Sequence, residues 1–177
     1  MALKSLPLSE VTHLLGAGPI VLVTTAQNGK NNVMTIAWHT PLDFKPPLVG
    51  CVIGKHFTTK ALEETKQCVL AIPTVEMAEA VVGIGSCSGA DTDKFAKFGL
   101  HAQTAETVAA PLIGECYVNL ECKIVDTTLA EKYEFYVMEV TKAWIDPSNK
   151  NPKMLHHRGG GSFVADGETI EVERKKT

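Results

Sequence analysis

Asn31-Asn32-Val33-Met34-Thr35-Ile36-Ala37-Trp38, followed by Lys45-Pro46-Pro47-Leu48-Val49 and Lys55-His56-Phe57-Thr58-Thr59-Lys60, is the stretch on which the reading of this chain turns. Just before it, Ile20 to Thr25 is mostly β-branched, and Gln27-Asn28-Gly29-Lys30 has the composition of a tight hairpin turn. The pattern predicts a hairpin with strands over Ile20–Thr25 and Asn31–His39. Pro41 to Pro47 reads as a loop and Leu48 to Ile53 as the next strand. Thr58 or Thr59 then caps a helix running to about Lys66, and Cys68 to Ile72 is a further strand.

Outward from this stretch, Val75 to Ile84 has apolar residues at helical spacing and ends in the cluster Gly83, Gly85 and Gly89. A short helix starts near Asp91 or Thr92, carries Lys94, Phe95 and Phe98, and stops at Gly99. Two long alternating runs, Glu115–Asp126 and Tyr133–Trp144, have the pattern of half-buried antiparallel strands. Asp146 to Lys153 reads as a loop, His156 to Phe163 holds three consecutive glycines, and Glu168–Glu173 has the composition of a last strand. At the other end, Ser9 caps a short helix through Leu15. Strands in meander order with helices between them predict an α+β fold, a closed antiparallel barrel with helices outside. Neither a β-α-β rhythm nor a G-x-G-x-x-G fingerprint is present, which argues against a doubly wound dinucleotide fold.

A chain of 177 residues, 45% hydrophobic and 21% charged, is expected to form one domain over residues 1–177 with a sizeable core. Its net charge of -3, with basic residues grouped only in Arg174-Lys175-Lys176, does not suit a nucleic-acid binder. The apolar run from Pro19 to Ala26 is too short for a membrane span, which needs about 20 residues. The N-terminus lacks the long apolar region and cleavage site of a secretory signal, so a cytoplasmic location is expected. Five cysteines without a C-x-x-C pair are expected to be reduced and buried, with Cys116 and Cys122 on one face of a strand. His156 and His157 are adjacent, and in an extended segment they point to opposite sides, so no shared metal is expected.

Thr58 and Thr59 at a helix start offer hydroxyls and unpaired N–H groups, and Lys55, Lys60 and Lys94 add positive charge, a combination that suits an anion. Taken singly these residues have plainer readings: a threonine is an ordinary cap, Met34 or Trp38 an ordinary barrel residue, and Cys51 a buried structural thiol.

Taken together, the Asn32–Trp38 segment, the Lys-Pro-Pro turn, Thr58-Thr59 and Asp93-Lys94-Phe95 resemble the signature of the flavin reductase-like family, and within it the flavoredoxin type. The resemblance runs from about Ile20 to Trp144. It implies a split barrel of Greek-key type with peripheral helices, non-covalent FMN and a homodimer with each site near the subunit interface. In the family, the strand matching Asn32, Val33, Met34, Thr35, Ile36, Ala37 and Trp38 passes along the flavin. The resemblance also implies that Thr58 or Thr59 and Lys94 hold the phosphate, with Lys55 a further candidate by its charge alone. Cys51 falls where some relatives place a cysteine or serine near the ring, and Phe163 where flavoredoxin-like chains bring an aromatic to the flavin. Many relatives carry a histidine beside the flavin that helps admit a nicotinamide; Tyr133 stands in its place here, and tyrosine cannot supply imidazole chemistry near neutral pH. No catalytic side chain is assigned. The implied functions are electron transfer from NAD(P)H to a flavin, ferric or protein acceptor, electron carriage from a redox protein partner without a nicotinamide, and FMN sensing.

Overall fold

The computed structural model describes residues 18–172. The helix expected over Ser9–Leu15 and the basic run Arg174-Lys175-Lys176 lie outside the described residues. Strands β1 (Val21–Gln27) and β2 (Lys30–Ile36) pair in register from Val21 opposite Ile36 to Gln27 opposite Lys30. The two residues between them, Asn28 and Gly29, have φ of 51° and 74°, the left-handed pair that a two-residue hairpin of matching twist requires.

The strand expected to run on to His39 instead breaks at Ala37-Trp38, and the expected loop Pro41–Pro47 is largely strand. β3 (His39–Phe44) pairs with β4 (Pro47–Val52) through a register shift between Pro41 and Asp43. Pro41 is tolerated there because β3 is an edge strand, where a missing N–H leaves no central ladder bond unmade, and Pro47 because it is the first residue of β4. Helix α1 (Phe57–Thr65) follows and ends at Lys66, which takes the left-handed cap with φ of 55°. Next come β5 (Gln67–Ile72), a 3-10 turn at Val75–Met77, and helices α2 (Ala78–Gly85) and α3 (Lys94–Lys97). Two short strands, β6 (Ala102–Gln103) and β7 (Leu112–Ile113), precede β8 (Val118–Asp126), the one-turn α4 (Ala130–Tyr133) and β9 (Phe135–Ile145). A hairpin of β10 (Leu155–His157) and β11 (Phe163–Ala165) ends the described elements. The strand expected at Glu168–Glu173 does not form over its described residues 168–172. Ile170 and Val172 are exposed there, and no strand among the described residues pairs with them.

Seven strands make one antiparallel sheet in the order β2-β1-β5-β8-β9-β4-β3. Its outermost strands, β2 and β3, are consecutive in the chain, joined only by Ala37 and Trp38. In a flat sheet they would stand about 29 Å apart, six spacings of about 4.8 Å, whereas three peptide steps reach about 11 Å at most. The sheet must therefore curl until its two edges meet. Among the described residues no ladder joins β2 to β3, so the barrel is split and not closed.

Curling gives the sheet two buried faces. Val21, Val23, Leu70, Tyr136 and Met138 fill the interior with Cys51, Cys68 and Cys122, while Leu22, Val33, Val69, Ile84 and Ile113 pack outside beneath α2, α3 and the segment 100–116. Burial pushes the Cys51 thiol up to about 12, and the Cys122 contact together with burial raises Cys68 well above the usual thiol range. Cys116 and Cys122 do not share a strand face. β8 begins only at Val118, and Cys116 belongs to the outer layer against Met77 while Cys122 points inward.

Glu121 of β8 is fully buried, and its carboxylate accepts from the Glu106 N–H (3.0 Å), the Thr107 N–H (2.5 Å), the Thr107 hydroxyl (2.6 Å) and the Trp144 indole (2.7 Å). This pins segment 104–111 to the barrel. Burial alone raises the Glu121 carboxyl, but these four bonds outweigh it and hold the group at about 2. The folded value lies below the unfolded one, so the contribution is complete above the unfolded value of about 4.3 and is lost as pH falls toward 2. Urea denaturation at neutral pH is expected to show Glu121→Gln less stable by about 3 kcal/mol. The variant's midpoint should also fall less steeply than the wild type's between about pH 4 and 2.

Candidate functional site

Helix α2 lies across β2, where the Thr35 hydroxyl donates to the Val81 carbonyl at 2.8 Å. Between strand, helix and the turn after it runs a groove made of two cavities that share Thr35, Gly85 and Ser86. One, of about 340 Å³, is lined by Met34, His56, Phe57, Thr58, the Ser86–Gly89 loop and Lys94. The other, of about 310 Å³, is lined by Ile20, Ile36, Ala37, Val81, Val82, His157, Gly160 and Phe163. Each falls within the size range of cofactor pockets.

The first cavity is built for negative charge. Lys94 is the first residue of α3, whose N-cap Asp93 accepts from the Ala96 N–H at 3.1 Å, and Phe95 beside it anchors the turn in the outer core. This buries the Lys94 ammonium, which donates to the Ile84 carbonyl at 2.8 Å. Burial pulls the ammonium below the usual lysine range, opposed by the Cys87 sulfur. An ammonium has three donors, and one carbonyl is its only hydrogen-bond partner among the described residues, which leaves donors free to meet a ligand in the cavity.

Opposite it, the Asn32 amide donates to the Thr58 hydroxyl at 2.8 Å, which fixes that oxygen as acceptor and leaves its own hydrogen to turn toward the cavity. The buried Asn32 Oδ1 has no partner among the described residues, and Gly89 packs so close that a Cβ there would come within 2.1 Å of it. The first-turn N–H groups of Phe57 and Thr58 have no acceptor within α1. A dianionic phosphate fits this donor set, and the apolar second cavity fits a flat ring.

The residues singled out from sequence separate clearly. Met34, Thr35, Ile36, Ala37, Thr58, Lys94 and Phe163 line the groove, and Asn32 stands behind Thr58. Val33 faces the outer core and Cys51 the barrel interior. The Thr59 hydroxyl is occupied, donating to the Gly54 carbonyl (2.6 Å) and accepting from the His56 N–H (3.0 Å), so it shapes the start of α1. The Lys55 side chain is exposed, and its N–H donates to Glu134 at 3.3 Å. Trp38 at the strand break and Tyr133 at the end of α4 are exposed and line neither cavity; Lys132 lies 5.0 Å over the Tyr133 ring. The Ser86–Gly89 loop and His157 were not picked out as site residues. Their signal was the glycine on either side of Ser86-Cys87-Ser88 and the glycine run after His157.

The flavin reductase like domain matches this chain over residues 15–163. The uncharacterized protein YddH of Escherichia coli K12 is 32% identical over 178 residues, covering 92% of this chain and 94% of that protein. Among solved structures, an FMN-binding domain of a flavin reductases-like enzyme from Shewanella baltica superposes with a TM-score of 0.81 at 29% identity, covering 96% of this chain and 97% of its own. Flavoredoxin of Desulfovibrio vulgaris has the same fold, with a TM-score of 0.80 at 23% identity and coverage of 97% and 94%. With the domain matched over most of the chain and a relative of nearly equal extent, the chain belongs to the flavin reductase-like family.

Proposed function

We propose that the groove binds FMN without a covalent bond and that the protein passes electrons through it. The observation that carries this reading is the buried Lys94 ammonium, short of partners, at one end of a groove whose other end is apolar. Lys94, the Thr58 hydroxyl and the N–H groups at the start of α1 hold the phosphate, where the helix dipole also favours an anion. Asn32 orients Thr58 for that role. Met34, Thr35, Ile36 and Ala37 lie along the ring from β2, and Phe163 meets it from the opposite wall. The flavin supplies the redox chemistry, and these residues bind it, orient it and limit water.

Two electron donors fit the reading. NAD(P)H can supply a hydride, with a flavin, ferric ion or protein as acceptor; alternatively a redox protein supplies electrons as to a carrier. Tyr133 favours the carrier, because its exposed ring lines neither cavity and it has no imidazole to offer a nicotinamide. The flavoredoxin likeness supports the same choice. A sensor that holds FMN without turnover is the remaining form of the reading. A homodimer accords with the exposed edge strand β3, where Leu42 and Phe44 face solvent beside Trp38. No helix among the described residues is long and apolar enough to cross a membrane, and a cytoplasmic location is part of this reading.

Equilibrium titration with FMN, followed by quenching of flavin fluorescence, tests the site. Lys94→Ala with Thr58→Ala is expected to weaken binding by about 3–5 kcal/mol, the loss of two hydrogen bonds to a charged phosphate. Unchanged affinity would sink the phosphate assignment. Anaerobic mixing of the FMN-loaded protein with NADH or NADPH then separates the donors. As a carrier, the protein should keep its flavin absorbance for minutes with either nucleotide and bleach with dithionite. Rapid bleaching by a nucleotide identifies a reductase instead.

A further inference from the structure

Of the histidines in the described structure, most are bound into the fold. His39 contacts the Pro19 carbonyl at 2.6 Å, His101 pairs with Glu115, and His156 pairs with Asp166 at 2.7 Å. His157 differs. It lines the apolar cavity of the groove, and its one recorded hydrogen bond, Nε2 to the Gly160 carbonyl at 3.1 Å, stays within its own turn and ties nothing to the barrel.

That bond fixes the chemistry of the ring. A carbonyl only accepts, so Nε2 carries the hydrogen, and in the neutral imidazole Nδ1 is left as an acceptor. Nδ1 has no partner among the described residues. The ring is also held in place. It packs against Phe163 at 5.4 Å between centroids and 50° between planes, and Gly160, with φ of 56°, brings its carbonyl round to Nε2. The hairpin itself is fastened to the barrel, since the Ile20 N–H donates to the Leu155 carbonyl at 2.7 Å. Asp166 closes it further, accepting from the Met154 N–H at 3.0 Å and contacting His156. The result is a preorganised imidazole on the wall of a cavity whose other polar side chains are the Thr35 and Ser86 hydroxyls, both already donating to α2 carbonyls.

We propose that His157 is a ligand-binding residue of this site. Its Nδ1 accepts from the exchangeable N–H of the ring held between Ile36, Ala37 and Phe163. The inference rests on the flavin reading of the groove.

Titration of the full chain with FMN, and with riboflavin, which lacks the phosphate, tests it at the ring alone. His157→Phe keeps the packing on Phe163 but not the polar atom, and should weaken both ligands by about three- to tenfold, the size of one neutral hydrogen bond. His157→Asn places an amide oxygen near the position of Nδ1 and should stay within about twofold of wild type. His157→Gln reaches the Gly160 carbonyl but not the Nδ1 position; it should lose affinity as the Phe variant does while the unliganded protein melts at the wild-type temperature. Inorganic phosphate should compete with FMN equally in all four proteins, since the lysine end is untouched. Wild-type riboflavin affinity in both His157→Phe and His157→Gln overturns the proposal while leaving the flavin reading standing. A wild-type protein that binds neither FMN nor riboflavin overturns both.

Discussion

Two residues, Ala37 and Trp38, connect the opposite edges of a seven-stranded sheet, and most of the architecture follows from that shortness. A link that spans about 11 Å cannot serve a flat sheet of this width, so the sheet rolls up, and rolling gives it an inside and an outside. Both faces are then apolar. β1 shows this within three residues, with Val21 and Val23 turned inward and Leu22 turned out toward the helices. Because the edges meet without pairing, β2 keeps one side open to other partners, and α2 comes to lie beside it through Thr35 and Val81. The groove is the space left between an unpaired edge strand and the helix that flanks it.

Much of this was legible in the sequence because it is written locally. The Asn28-Gly29 turn, the alternation of β8 and β9, and the glycines that end α2 and α3 need no distant partner to be recognised. What was illegible depends on distance. Pro41 looks like a loop residue until β3 is seen to be an edge, and Pro47 until it is seen to open β4 ahead of the first residue paired with β9, two places where a missing N–H costs little. Cys116 looks like a neighbour of Cys122 until β8 is seen to begin at Val118, which leaves Cys116 in the other core layer. Glu168–Glu173 has strand composition but, through residue 172, no strand to lie against.

The candidate site divides along the same line. The family motif locates β2, Thr58, Lys94 and Phe163, yet it cannot say which of two adjacent threonines has a hydroxyl to spare. The geometry does, because the Thr59 hydroxyl is engaged by Gly54 and His56 whereas Thr58 is bonded only by Asn32. Nor can a motif distinguish a strand's two faces in a barrel where both are buried. Met34 and Val33 are neighbours in sequence and are separated by the sheet.

Two buried charges show where stability ends and function begins. Glu121 sits out of water with four donors around its carboxylate, so its charge is answered within the chain, and the group serves to fix segment 104–111. Lys94 is buried with a single carbonyl recorded for its ammonium, at the wall of a cavity that it shares with Thr58, whose hydroxyl hydrogen has no assigned acceptor. Leaving a buried charge so poorly matched is unfavourable in a free-standing fold. It becomes favourable when an anion enters, because the donors then find acceptors without having to be rearranged. The same reasoning explains why Gly89 must be a glycine: any larger residue would push Asn32 from its place, and with it the Thr58 hydroxyl on which one side of the anion site depends.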